Sequence, residues 1–278
     1  MDLNKIEPYY QNELSTVYNN DCRTMDNFIP NKSIDLIFSD PPFNNSSKYS
    51  NWNDNLSEND YIKFTNEWLG QSLHSLKEGG IICIYVPDNL VKIIFDSVDS
   101  INQTNFSLPR FNRIDWCIYH YTFGRHNKTK FVSSHCHILV YRKGDKQHIW
   151  NRNSILVPSL RSTKYKDKRT LYTDTPGLRT PDDVLYSKRP GDGLSRINGN
   201  SKEKVIGHPN QIPEKLVELF ILAYSNENST NLENFGGTGT FGCVSQKLQR
   251  QSIIIEISSE YCFDIKNRLS NEKNTRTR

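Results

Sequence analysis

Apolar residues in this chain gather in short, nearly continuous runs bounded by polar or turn-forming residues. The runs Ile34 to Ser39, Ile81 to Val86 and Ser252 to Ile257 are four to eight residues long and rich in Ile, Val and aromatics, which predicts buried strands. Between them the spacing changes to that of helices. Tyr61, Phe64, Trp68, Leu73 and Leu76 share one helical face, Ser57 and Asp60 form a capping box before it, and Gly79-Gly80 predicts its end. Leu90 to Phe95 opens a second helix. Pro213 sits in the first turn of a third, through Leu216, Val217, Phe220, Ile221 and Ala223, and a fourth runs to about Arg250. Arg113 to Tyr121 and His135 to Arg142 are strands joined through Gly124-Arg125-His126-Asn127-Lys128, with antiparallel pairing. This alternation predicts an α/β fold. Periodicity fails from about Lys143 to Lys204, where Pro176-Gly177 and Pro190-Gly191 mark turns, and the polar end from Asn271 to Arg278 is predicted to fray.

A length of 278 residues suits one large domain or a domain with an inserted subdomain, and 35% hydrophobic residues supply a sizeable core. The longest apolar runs are too short to span a bilayer, and the first five residues lack the apolar core of a signal peptide, so a cytoplasmic protein without a membrane partner is expected. The six cysteines are scattered with no C-x-x-C pair, four of them inside apolar runs, which reads as reduced and buried. His135-Cys136-His137 admits a metal reading, but it opens an alternating run and reads as strand; no metal site is expected. Charge is unevenly spread. Arg142 to Lys204 holds 15 Lys/Arg against 7 Asp/Glu, a net of +8, while the rest of the chain nets −4. Trp150, Tyr165, Tyr172 and Tyr186 interleave with those charges, which suits a polyanion such as nucleic acid; the alternative is a solvated basic loop.

Two patterns carry chemistry. Asp40-Pro41-Pro42-Phe43 follows the first strand. The prolines fix two φ angles and donate no N–H, so the Asp40 carboxylate and nearby carbonyls form a rigid acceptor beside a ring, suited to a planar base with an exocyclic amine; a Pro-rich turn is the plainer reading. Later, Gly237-x-Gly239-x-x-Gly242 precedes a helix, and Glu256 lies 19 residues after Gly237 at the end of the next strand. Glycines admit a ligand to the backbone, the helix N-terminus offers N–H groups, and the acid takes ribose hydroxyls. A nicotinamide enzyme is one candidate, but only 22 residues follow Glu256, too few for the remaining strands. Those strands must come from upstream, giving a circularly permuted sheet in which both loops meet at one edge.

In this order the chain resembles the beta class of amino-group DNA methyltransferases, which use S-adenosylmethionine. The matching segments are Asp40-Pro41-Pro42-Phe43, then the basic stretch, then His208-Pro209-Asn210-Gln211-Ile212-Pro213, then Phe235-Gly236-Gly237-Thr238-Gly239; Asn20-Asp21-Cys22 resembles the short segment at the cofactor's adenine. The resemblance covers roughly residues 17 to 269. It implies a Rossmann-like mixed sheet with helices on both faces and an irregular DNA target-recognition insert, divided as 1–142 (catalytic half), 143–204 (insert), 205–270 (cofactor half) and 271–278 (flexible tail). It implies that Asp40 and the Pro41 carbonyl accept the target amine's protons, with Pro42 and a stacking Phe43 completing the catalytic corner. Asp21, Cys22, Phe235, Gly237, Thr238, Gly239, Thr240 and Glu256 would bind the cofactor, Asp21 at the adenine and Glu256 at the ribose. Arg161, Lys164, Lys168, Arg169 and Arg179 are candidates for double-stranded DNA. Three departures stand out: Glu233-Asn234 replaces Asp-Pro, Phe241 replaces a small residue, and Ile212 stands where Lys is common. The implied activity is adenine-N6 methylation, since Asp leads the catalytic segment where cytosine-N4 enzymes more often carry Ser. A cognate restriction endonuclease is a functional partner, with the chain itself a monomer or homodimer. Cytosine-N4 methylation, RNA or protein methylation, and a nucleic-acid-binding relative without activity remain the alternatives.

Overall fold

The computed structural model describes residues 6–49, 51–104, 109–121, 127–186, 194–197, 201–205, 207–208 and 210–275, with side chains to residue 270. Pro190-Gly191, Pro209 and the last three residues lie outside these. The strands are β1 (Tyr10–Gln11), β2 (Ser15–Asn19), β3 (Ile34–Ser39), β4 (Leu76–Val86), β5 (Phe111–His120), β6 (His135–Lys143), β7 (Val157–Pro158), β8 (Leu178–Arg179), β9 (Val184–Tyr186), β10 (Thr230–Glu233) and β11 (Gln251–Glu256). The α-helices are α1 (Glu58–Ser75), α2 (Asp88–Thr104), α3 (Leu160–Thr163), α4 (Glu214–Tyr224), α5 (Thr240–Lys247) and α6 (Ser259–Thr275).

Among the described residues, nine strands form one sheet in the order β1-β2-β11-β10-β3-β4-β6-β5-β9. The stretch from β2 to β4 is parallel. Strand β6 runs antiparallel to β4 and to β5, and β9 parallel to β5. The late strand β10 sits between β11 and the early β3, with Glu233 opposite Phe38, which is the permuted order expected. Both sheet faces are buried, as continuous apolar strands require. Ile82, Ile84 and Leu139 face α1 and α2, packing with Trp68, Leu73, Ile94 and Val98. Ile81, Cys83, Ile138 and Val140 face α4 and α5, packing with Leu216, Phe220 and Phe241. Phe241 stacks on Phe38 at a centroid distance of 5.5 Å, so the large residue there fills the core between α5 and β3.

Several boundaries differ from expectation. Helix α1 does start at the Ser57 cap, whose Oγ accepts from Asp60 N at 3.2 Å, but it stops at Ser75. Leu76 already belongs to β4, and Gly79 and Gly80 lie inside that strand, Gly79 at φ +82°. The helix ends where buried Lys143 reaches in: its ammonium donates to the carbonyls of Leu73 and, at 2.7 Å, of Leu76, satisfying groups a helix C-terminus leaves orphaned. Burial lowers the pKa of that ammonium. Helix α4 begins at Glu214, with Pro213 in the cap position. Helix α5 ends at Lys247, short of Arg250. Helix α6 runs from Ser259 to Thr275. Within 143–204, β7 and β8 pair with each other, whereas β9 joins the main sheet. His135, Cys136 and His137 lie in β6, and all six cysteines are free and buried. No helix among the described residues is long and apolar enough to cross a membrane.

Candidate active site

Because β3 and β10 are parallel neighbours, the segments that follow them leave the sheet side by side at its carboxyl edge. Asp40 directly follows β3, and Phe235 lies two residues past β10. They border a cavity of about 790 Å³, open mouth included, whose lining also takes in Asp21, Cys22, Pro41, Pro42, Phe43, Gly237 and Glu256. Of the twelve residues that the sequence assigned to the catalytic corner and the cofactor, nine line this cavity. Thr238, Gly239 and Thr240 do not line it. They shape the turn behind it: Gly239 has φ +69°, its N–H donates to Gly236 O at 2.6 Å, and the Thr238 and Thr240 hydroxyls bond to each other at 2.9 Å.

The Asp40 segment is held from outside. The Tyr61 hydroxyl donates to Pro42 O at 2.7 Å. Beyond Phe43, buried Asp54 accepts from the N–H groups of Asn44, Asn45 and Ser47 at 2.8–3.0 Å. Asn44, at φ +51°, exchanges two hydrogen bonds with the Leu56 backbone. None of these supports is visible in the sequence, because each joins separated positions, one from helix α1 and the others from different parts of a long polar loop. The Asp40 carboxylate itself has no hydrogen-bond partner among the described residues, and burial pushes its pKa up to about 8. An acceptor left unpaired at a cavity is expensive in isolation and ready for a donor.

Asp40, Phe43 and Asn210 also border a second cavity, of about 570 Å³ with its mouth, lined by Tyr85, Tyr119, Tyr121, Cys136 and Arg196 among others. Its rings are tilted toward one another, Phe43 to Tyr85 at 6.1 Å and Tyr85 to Tyr119 at 6.3 Å. The Arg196 guanidinium lies 5.2 Å from the centre of the Tyr121 ring. Ile212, one of the departures, lines this cavity too. Sequence reasoning missed Arg196 although it lies in the basic segment. The five basic residues singled out there line neither cavity. They belong to the α3, β7 and β8 lobe, where Arg169 pairs with Asp167 at 2.8 Å and Arg179 with Asp182 at 2.5 Å.

At the other end of the first cavity, the Glu256 carboxylate accepts from Gly237 N and Ser258 N, each at 2.7 Å. Burial raises its pKa against the opposing effect of these N–H groups. Each oxygen keeps a further acceptor site. Burial alone would raise the Asp21 pKa, but the Arg23 guanidinium, 2.6 Å away, holds it below the usual range. His208 packs on the glycine turn: a Cβ on Gly237 would stand 3.0 Å from its Nε2. Burial lowers its pKa to about 4, so the ring is neutral at pH 7. Buried Asn234 Oδ1 has no hydrogen-bond partner among the described residues, and Asn234 and His208 both line this cavity. Acceptors at one end, an unpaired amide oxygen on the wall and a glycine turn that brings backbone to the cavity at Gly237 fit a nucleoside-bearing cofactor.

Known proteins agree with this geometry. The family described as "DNA methylase", of the N6/N4 type, matches residues 34–267. The Type II methyltransferase M.HpaI of Haemophilus parainfluenzae is 32% identical over 87% of this chain and 70% of its own length. M.BamHI of Bacillus amyloliquefaciens is 28% identical over 97% of this chain but 60% of its own length, so the chain is shorter than these relatives. The DNA adenine methyltransferase YhdJ of Escherichia coli K12 is 29% identical over 91% of this chain and 81% of its own length. Among solved structures, the PvuII DNA methyltransferase (cytosine-N4-specific) shares the fold with a TM-score of 0.68 at 17% identity, covering 98% of this chain and 94% of that one. The M1.HpyAVI–SAM complex does so with a TM-score of 0.62 at 18% identity, covering 92% and 99%. The matched span runs through both walls of the cavity, from Asp40 to Glu256, and on that ground the chain belongs to the N6/N4 DNA methylase family, with S-adenosylmethionine as its methyl donor.

Proposed function

We propose that this chain is a site-specific adenine-N6 methyltransferase acting on a base turned out of duplex DNA, and the modification enzyme of a restriction–modification pair. One observation carries the reading: Asp40, an unpaired acceptor, borders both cavities at once. The first cavity offers the acids and glycine turn for the cofactor, and the second offers aromatic walls for a flat base. When bound, S-adenosylmethionine supplies a methyl group already activated on a sulfonium, so the protein's work is positioning and electrostatics. Asp21, Cys22, Phe235 and Gly237 would hold its adenine and methionine parts, and the open acceptor sites on Glu256 its ribose hydroxyls. Thr238, Gly239 and Thr240 would act through the shape of the turn.

An exocyclic amine is a weak nucleophile because its lone pair is delocalised into the ring. Asp40 Oδ and the Pro41 carbonyl accept its two N–H hydrogens, which favours a pyramidal nitrogen with a localised lone pair. Once the nitrogen has formed its fourth bond it carries one proton too many. As the methyl group leaves the sulfur with its bond pair behind, the ionised Asp40, made more basic by burial, is a fit acceptor for that proton. Phe43, bordering both cavities, stacks on the base. The leading Asp favours adenine, in keeping with the relative named as a DNA adenine methyltransferase. Arg161, Lys164, Lys168, Arg169 and Arg179 would approach phosphates, the two paired arginines exchanging an Asp for a phosphate. The names of M.HpaI and M.BamHI as Type II methyltransferases support the restriction–modification setting. The test is to express the chain in a methylation-free host, digest its DNA to nucleosides and sequence the modified positions. N6-methyladenine at one short sequence is expected; N4-methylcytosine would overturn the choice of base, and no modified base would overturn the reading.

A further inference from the structure

The strands β5 and β6 meet in a loop at the same edge of the sheet as Asp40. Val86, the last residue of β4, pairs with His137 near the start of β6, and Tyr119 pairs with Cys136. The loop therefore emerges where the parallel strands end. Its base is pinned by Tyr121 N donating to Ser134 O at 2.8 Å. Tyr121 and Cys136, at its two feet, line the aromatic cavity beside Asp40. Within 127–134 the chain reads Asn-Lys-Thr-Lys-Phe-Val-Ser-Ser, with two cations and no acid. Asn127 Oδ1 accepts from Thr129 N at 2.9 Å, from Thr129 Oγ1 at 3.0 Å and from Lys130 N at 3.1 Å, which folds the first part of the loop on itself. Lys128 and Lys130 are exposed, and Phe131 is 98% exposed, the most of any large apolar residue described.

A single exposed aromatic is ordinary. This one is not isolated: it follows two cations in a loop whose feet, Tyr121 and Cys136, line the cavity in which a base is proposed to sit. Phe131 lies three positions before the Ser134 pin, a span of at most about 11 Å. That is comparable with the roughly 8.5 Å depth of a duplex major groove, so the ring can reach a base stack from the rim. Turning a base out leaves a gap in the stack, and an aromatic ring is a sequence-tolerant filler for it.

We propose that this loop is a second DNA-contact element, distinct from the basic segment, in which Phe131 stacks into the duplex beside the turned-out base while Lys128 and Lys130 meet the flanking phosphates. The inference rests on the reading of the chain as an enzyme of duplex DNA. The test uses the full chain, S-adenosylmethionine and a short duplex carrying the sequence that methylation mapping gives, alongside the same duplex with an abasic position opposite the target. Phe131→Ala is expected to slow single-turnover methylation of the intact duplex by about 10- to 100-fold, the worth of one base–aromatic stack. On the abasic duplex, where the base is already unpaired, most of the deficit should vanish, and Phe131→Trp should keep the wild-type rate on both. Replacing Lys128 and Lys130 by Gln should lower the slope of log affinity against log salt by about 2. Wild-type rates for Phe131→Ala on the intact duplex, or an equal deficit on both duplexes, would overturn the proposal. Inactivity of the wild type on the intact duplex would instead sink the underlying reading, and the loop's role with it.

Discussion

Asp40→Asn separates what the carboxylate costs the fold from what it gives the reaction. Burial lifts the Asp40 pKa from 3.8 to about 8, and no described residue offers a hydrogen bond in return. The native protein thus binds a proton that the unfolded chain releases at much lower pH. The contribution is fully favourable below about pH 4 and is lost as pH rises through about 8. At about 1.4 kcal/mol per pH unit the limit is on the order of 5 kcal/mol. The side chain is partly exposed at the cavity mouth, and water there reduces the expected figure to roughly 1–3 kcal/mol. Asn keeps the shape and one acceptor without the charge. The variant should therefore match the wild type near pH 4 and exceed it by roughly 1–3 kcal/mol at pH 8 and above, a gain of several degrees in Tm. Methyl transfer should fall by about 10²- to 10³-fold, the usual cost of one preorganised electrostatic contact. Urea melts of both proteins from pH 4 to 9, with incorporation of labelled methyl groups into DNA, measure the two effects. Because only the difference between the proteins is read, titrating groups that do not feel the Asp40 charge cancel; Glu233, whose pKa that charge helps to raise, contributes to the difference. A difference that stays flat with pH would show that the carboxylate is not desolvated, and undiminished methylation would remove it from the reaction.

Gly242→Ala would place a Cβ 2.2 Å from Ile254 Cδ1, an overpacking expected to cost roughly 1–3 kcal/mol in chemical denaturation. Adding Ile254→Val, which deletes that methyl group, should recover part of the loss, since Cγ1 at 2.7 Å remains. Glu233→Ala strips two N–H groups at the start of α5 of their acceptor, and should cost roughly 1–3 kcal/mol of stability and weaken cofactor binding in calorimetry. Lys143→Met leaves the Leu73 and Leu76 carbonyls buried without a donor, and a urea midpoint lower by the equivalent of roughly 1–3 kcal/mol is expected, with no change in cofactor affinity once folded.

Much of the site is legible in the sequence because its parts are local. Asp40 and its prolines, the glycine turn and Glu256 each sit within a few residues of a strand end, so a run of apolar residues locates them. What stays hidden depends on contacts between distant segments. Nothing near Ser75 marks the end of α1, since the group that ends it, Lys143, is about 70 residues away in β6. Gly79 looks like a helix stop and instead serves a strand, at φ +82°, where the Gln147 carbonyl would stand 2.9 Å from a Cβ. Arg196 carries no local signal that sets it apart from the other cations of the basic segment. Only the return of the chain past Tyr121 brings it to the second cavity.

The departure at Glu233-Asn234 shows how such a site tolerates change. Gly239 caps α5 at φ +69° and has no side chain to accept from the first turn. Glu233, at the end of β10, takes that place from across the loop: its two oxygens accept from Phe241 N at 3.3 Å and Gly242 N at 3.1 Å. Burial raises its pKa to about 8, with those two N–H groups pulling the other way. An acid at this position therefore ties the strand that precedes the glycine turn to the helix that follows it, so the turn between them has both ends fixed. Asn234, in the position of the usual proline, points its amide at Ser72 Oγ, 3.3 Å away on α1, and leaves its Oδ1 unpaired among the described residues, in a residue that lines the first cavity. The pair that looked like a loss at the level of sequence thus supplies one structural anchor and one free acceptor. Both act at the first cavity and leave Asp40, at the junction between the two cavities, untouched.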